Sequence, residues 1–168
     1  DATAQAVDPM LAWRVGRFVG DHSLNHALVS KVEHAPTLYQ ALRQFVRMVS
    51  AEASHLQHGI HERRDDIHYY THYPDMKGVP GYHSSQGYQL EIMCDLIRRF
   101  AGRQWLPEEI GIEYPIVPKV AKAHFPGTRI LPRQRVGYVA IPRSYLHMVP
   151  LCDDSAEREE YSVLLSDR

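Results

Sequence analysis

Two hydrophobic periods meet at residue 55, and the change between them narrows the folds open to this chain more than any other feature. Before it, Leu38, Ala41, Leu42, Phe45, Val46 and Val49 recur at three- and four-residue spacing, while Arg43, Arg47, Ser50 and Glu52 fall outside that stripe. This is the pattern of an amphipathic helix laid on a core. Thr37 stands where an N-cap should, Gln40 follows three residues on as its capping-box partner, and Pro36 discourages helix further upstream. After residue 55 the period becomes two. Leu56, His58, Ile60 and Glu62 share one face of a first strand, and Ile67, Tyr69, Thr71 and Tyr73 share one face of a second, with Arg63 to Asp66 as the polar turn. Symmetric closure sets Glu62 opposite Ile67, His61 opposite His68, Gly59 opposite Tyr70 and Gln57 opposite His72. One face of the hairpin is mostly apolar, and the other is rich in imidazole.

A similar unit returns further on. Ser84 or Ser85 can cap a helix that runs YQLEIMCDLIRRFAG and stops at Gly102, just after the cationic Arg98 and Arg99. Tyr88, Ile92, Leu96 and Phe100 form its stripe, with Met93 and Ile97 beside them. Beyond Pro107, Ile110, Ile112 and Tyr114 alternate, a short helix is expected around Lys119 to Phe125, and strands at Thr128 to Leu131 and Val136 to Ile141. Pro142 to Leu146 reads as a closing turn of helix. The expectation is an α+β fold: two helix-then-antiparallel-strand-pair modules forming one domain, with additional N-terminal helices. A parallel doubly wound sheet is not expected, because the strand pairs follow their helices without a βαβ rhythm.

Charge and length set further bounds. The 168 residues suit one domain, assigned to 1–150, followed by an acidic stretch, 151–168, that reads as a solvated linker. Nineteen Lys and Arg stand against twenty Asp and Glu, for a formal charge of -1. Phosphate neutralisation supplies most of the affinity of a DNA-binding module, so duplex binding by this chain alone is not expected. No apolar run approaches the ~20 residues of a membrane span, and the opening DATAQAVDPM lacks the basic start and apolar centre of a signal peptide. Cys94 and Cys152 form neither a disulfide framework nor a CxxC pair, which suits a reducing cytoplasm.

The residues that could carry chemistry are histidines and aromatics. His55, His61, His68 and His72 would project from one hairpin face, which permits a cluster, yet no HExxH or CxxC accompanies them and no metal is assigned. No GxSxG elbow, P-loop or post-strand GxGxxG is present, and Cys94 sits in an apolar helix beside Met93, where a thiol packs rather than reacts. No catalytic residue and no cofactor is therefore expected. A metal-dependent hydrolase built on the hairpin histidines stands as the alternative from another class. Small-molecule sites are mostly apolar with a few fixed polar groups, and His68, Tyr70, His72, Tyr88, Gln89 and Trp105 supply that chemistry near the junction of the modules. Arg98 and Arg99 could meet a carboxylate, although the end of a helix favours cations in any case. Leu11, Val15, Phe18 and Val19, within Met10 to Val19, form a further apolar stripe. That stripe and the helix ending at Phe100 are the candidate faces for a homodimer.

Three runs, EHAPTLYQALRQFVRMVSAEAS, LEIMCDLIRRFAGRQWLPEEIGIEYP and HFPGTRILPRQRVGYVAIPRSYL, resemble in that order the N-terminal regulatory domain of AraC-type transcription regulators. The resemblance is to the arabinose-binding-like subgroup that includes regulators of ornithine and arginine use, and it spans roughly Asp8 to Pro150. It implies an effector-sensing or dimerising domain that controls a separate C-terminal helix-turn-helix half. It also implies that DNA is reached only through that half, which is expected to be missing because only PLCDDSAEREEYSVLLSDR follows Val149. A purely structural dimerisation module without an effector is compatible with the same resemblance. The effectors associated with such regulators are amino acids, sugars or fatty acids, and the His and Tyr face leans towards a polar or amphipathic one.

Overall fold

A computed structural model describes residues 34–52, 55–75, 79 and 82–151. The expected N-terminal helices, the stripe of Met10 to Val19 and the acidic residues 152–168 lie outside the described residues. Helix α1 (Leu38–Glu52) leads into a hairpin of β1 (Gln57–Glu62) and β2 (Asp66–His72). Helix α2 (Tyr82–Ala101) is followed by β3 (Glu109–Gly111), the short α3 (Lys119–His124), β4 (Arg129–Leu131), β5 (Gly137–Pro142) and a 3-10 turn at Arg143–His147. The five strands form one sheet in the order β1-β2-β5-β3-β4. Its neighbours are antiparallel except β3 and β4. The fold is α+β, and among the described residues no helix is long and apolar enough to cross a membrane.

Local chemistry sets the helix ends. Thr37 caps α1 through Oγ1, which accepts a 3.4 Å hydrogen bond from the Gln40 N–H, and the Leu38 N–H donates to the Met148 carbonyl at 2.9 Å. Two of the amides that every helix start leaves unpaired are thereby satisfied. Gly102 ends α2 at φ +99, its N–H donating to the Arg98 carbonyl; that left-handed conformation is strained for residues with a Cβ. The start of α2 differs from the sequence expectation. The helix begins at Tyr82, ahead of Ser84 and Ser85, because Tyr82 is buried edge-on against Tyr73 with ring centroids 6.0 Å apart. Burial of an aromatic side chain extends the helix past the hydroxyls that could have capped it.

The hairpin register is the expected one, from Gln57 opposite His72 to Glu62 opposite Ile67. The second module departs from a simple copy. Its antiparallel pair is β3 with β5, where Ile110 faces Val139 and Gly111 faces Tyr138. Between those strands the chain inserts α3 and β4, and β4 runs parallel to β3 at the sheet edge. Parallel neighbours require a crossover connection, which α3 and its flanking loops provide.

The two modules meet along β2 and β5, where Tyr70 and Tyr138 are directly paired. Each tyrosine also stands opposite a glycine on its outer neighbour, Tyr70 opposite Gly59 and Tyr138 opposite Gly111. In both places the ring occupies the space a glycine Cβ would take. The sequence offset that carries Gly59 onto Gly111 also carries Leu38, Ala41, Leu42 and Phe45 onto Leu90, Met93, Cys94 and Ile97, and all eight are buried in one core. The modules are thus related residue by residue in their helices and outer strands. α2 is the more enclosed helix, since Ile92, Leu96 and Phe100 of the expected stripe are buried as well and Tyr88 is partly so.

Candidate functional site

The alternation of β2 sends Ile67, Tyr69 and Thr71 towards the helices and His68, Tyr70 and His72 to the opposite face. On that outer face the His68 ring stacks on Tyr138 at 3.9 Å with 9° between planes. Tyr138 donates its hydroxyl proton to Glu109 at 2.7 Å, and Arg129 pairs with the same carboxylate. The His68 Nε2 lies 3.0 Å from Arg63 Nη1, 3.8 Å from Asp66 and 4.0 Å from Glu109. Guanidinium can only donate, so Nε2 accepts and the imidazole is neutral. Its pKa agrees: burial lowers it, and the opposing pull of Asp66 and Glu109 is insufficient. Burial and the bond to Glu109 raise the Tyr138 hydroxyl.

The expected row of four histidines does not close into one cluster. His61 meets His68 edge-on with ring centroids 6.5 Å apart, His55 stacks on Tyr73 at 6.3 Å, and the Nδ1 atom of His72 lies 3.8 Å from Glu113. Among the described residues no three His, Cys, Asp or Glu side chains converge as a metal ion would require.

The remaining candidates divide between two places. Trp105 lies beyond the C-terminal end of α2, its ring 6.3 Å from that of Tyr145 and its carbonyl accepting from Arg98 Nε at 3.2 Å. Arg98 turns inward: it binds Glu91 at 2.9 Å and Asp95 at 2.6 Å, and His124 reaches Glu91 at 2.9 Å. Burial alone would raise the Glu91 carboxyl, but the His124 hydrogen bond and the Arg98 charge hold it below its ordinary range. Burial pushes the Cys94 thiol well up, as expected of a packing residue. Gln89 and Tyr88 sit at the other half of α2. Gln89 is buried beside His58 and Tyr73, and Tyr88 is close enough to Tyr73 to add to the rise that burial imposes on its hydroxyl.

Around Gln89 lies a polar patch of the interior that the sequence expectation placed only in part. His58 and Thr71 are cross-strand partners on the helix-facing side of the hairpin, which brings their Cβ atoms to about 5 Å. Beyond Thr71 stands Gly137 on β5, and the Gln86 side chain lies where a Gly137 Cβ would approach it. Gln86 accepts from the Glu113 N–H at 2.9 Å and donates to the Glu113 carboxylate at 3.2 Å. The His58 Nδ1 shares a 3.0 Å hydrogen bond with the Tyr69 hydroxyl, and burial lowers the His58 pKa to about 4 against the upward pull of a hydrogen bond with the Gln89 side chain. Neutral imidazole keeps one donor and one acceptor, so whichever role Nδ1 takes, Nε2 has the other to offer. Among the described residues the buried Thr71 Oγ1 has no hydrogen-bond partner. The signal in the sequence was a histidine and a threonine on the mostly apolar hairpin face.

Of the six expected ligand residues, the structure brings His68 and Tyr70 to the outer face of the sheet and places His72 by Glu113. Tyr88 and Gln89 go to the interior patch, and Trp105 stands apart. No protein-family model matches this chain, and no curated protein matches it either.

Proposed function

We propose that this chain is the ligand-sensing and dimerisation domain of an AraC-type bacterial transcription regulator, acting in the cytoplasm and controlling DNA binding by a C-terminal helix-turn-helix half. The observation that carries the reading is where the buried polar groups stand. His58 and Thr71 belong to the first module, Gln86 and Gln89 to the second, and all four are buried where the modules meet. A small molecule held there would touch both halves of the repeat. Differential affinity for two packings of those halves is what lets a ligand shift an equilibrium. The balanced charge also supports the division of labour, with DNA affinity left to the other half. The hydrolase alternative would need converging ligands of the kind the hairpin histidines do not supply among the described residues.

The test uses the whole regulator, with its helix-turn-helix half, in a mobility-shift titration on its operator with and without candidate effectors. A change of about fivefold or more in operator affinity is expected, the lower end of typical coupling between sites. Operator affinity indifferent to every effector class, from a protein that still dimerises, would favour the purely structural module.

A further inference from the structure

We infer that the apolar end of the domain around Met148, Val149 and Leu151 seats the Met10 to Val19 stripe of a second copy of this chain, so that two copies exchange their N-terminal segments across a two-fold axis. Among the described residues the exposed large apolar side chains are Val79, Leu106, Ile116, Met148, Val149 and Leu151. Contacts link four of these into one patch. The Met148 carbonyl accepts from the Leu38 N–H at the start of α1, and the Leu151 N–H donates to the Arg99 carbonyl in the last turn of α2. A Leu151 methyl lies 3.9 Å from the Cβ position of Gly102, whose carbonyl accepts from the N–H of Trp105, the neighbour of Leu106. The Trp105 ring stands 6.3 Å from that of Tyr145, and the Tyr145 carbonyl accepts from the Met148 N–H. The path thus closes on itself between the start of α1 and the end of α2. Single exposed apolar residues need no explanation, but a contiguous group of them marks an interaction surface.

What covers the patch follows from where the chain enters and leaves. The described residues begin at His34, four positions before the Leu38 amide that binds Met148, so the preceding segment joins the domain beside the patch. That segment carries Leu11, Val15, Phe18 and Val19 at three- and four-residue spacing, an apolar stripe suited to packing on apolar surface. The tail leaves from the same patch at Leu151, but it opens with Asp153, Asp154, Glu157, Glu159 and Glu160. Carboxylates lose water against apolar side chains at a cost those side chains cannot offset. Residues 20–33 can span up to ~50 Å when extended, enough to cross to a neighbouring copy. A two-fold axis beside the patch brings the two entry points together, and each stripe then meets the other copy's patch, the self-complementary arrangement of a closed dimer. The inference rests on the dimerisation reading and supplies the surface its stripe would meet.

Light scattering of whole-chain variants, alone and mixed, tests it. Val149→Lys with Leu151→Lys alters only exposed side chains, so the folded domain is expected to keep its far-ultraviolet spectrum. Its dimer is expected to weaken about a hundredfold or more, from a parent Kd near ~1 μM to a monomer at ~100 μM. Leu11→Asp with Phe18→Asp is expected to be monomeric over the same range. A one-to-one mixture of the two variants is expected to dimerise at concentrations where neither does alone. One contact in that mixed dimer joins an unaltered stripe to an unaltered patch, and the other sets aspartates against lysines. A lysine variant that still dimerises alone would overturn the inference, because the stripe would then be pairing elsewhere. So would a mixture that stays monomeric, the behaviour of a segment that folds back on its own domain. The two readings fail separately: a parent chain monomeric throughout defeats dimerisation itself, whereas a parent dimer indifferent to the lysines defeats only this surface.

Discussion

At the scale of single residues, His58 is where burial and proton chemistry are most tightly linked. Its pKa is lowered from 6.5 to about 4, so between those values the unfolded chain binds a proton that the folded chain refuses. Stability contributed by the neutral ring is complete above pH 6.5 and is lost as pH falls towards 4. The size is about 2 kcal/mol between pH 7 and pH 5. His68, also lowered chiefly by burial, adds in the same direction. Urea denaturation at the two pH values checks this, with His58→Gln expected to lose most of the difference. An unchanged difference in that variant would place the proton uptake elsewhere.

At the scale of elements, the two tyrosine-covered glycines answer differently to the same substitution. A Cβ on Gly59 would meet the far end of Tyr70, a half-buried side chain. A Cβ on Gly111 would meet the Tyr138 ring, which is stacked on His68 and bound to Glu109. Tyr70 can swing aside, whereas Tyr138 can do so only by giving up those contacts. Gly59→Ala is accordingly expected to cost under ~1 kcal/mol and Gly111→Ala ~2–3 kcal/mol, by the general cost of overpacking. Equal losses in denaturant melts would show that the Tyr138 contacts do not hold its ring. The contact of α2 with α3 offers a second test. Glu91→Gln leaves Arg98 and His124 beside an uncharged amide, and breaking a buried ion pair from one side is expected to cost ~3–5 kcal/mol. Because the Glu91 pKa is lowered, the stability it contributes is present above its ordinary value of 4.5 and disappears as pH falls through the folded value. The glutamine variant should therefore match the parent most nearly in strong acid.

At the scale of the whole molecule, assembly and DNA binding separate. The α2 stripe proposed from sequence as a dimer face is buried in the domain's own core at Ile92, Leu96 and Phe100. The expectation of a homodimer therefore rests on Met10 to Val19. Light scattering over a dilution series should find a dimer well below ~100 μM, since even a modest specific interface binds near ~1 μM. Leu11→Asp with Phe18→Asp should shift the series to monomer, and a monomer throughout in the parent chain would defeat the expectation. Specific duplex binding by the isolated chain is not expected at physiological salt, and a retained band in a mobility-shift assay would contradict the charge argument.

Periodicity alone located α1, the hairpin with its register, the body and glycine end of α2, and the remaining strands, because each follows from contacts between residues near in sequence. It placed His58 and Thr71 on the mostly apolar face of the hairpin, and the structure pairs them there. What it could not decide was which distant segments would meet. The start of α2 was set by Tyr82 packing on Tyr73, and the direction of β4 by its pairing with β3 after a crossover. Arg98 turned inward because Glu91 and Asp95 face it across turns of its own helix, with His124 reaching Glu91 from α3. The candidate site divided for the same reason. Side-chain type marks a histidine or a glutamine as able to bind, but only the packing of α2 on the hairpin determines that Gln89 stands beside His58 while Trp105 lies at the other end of the helix.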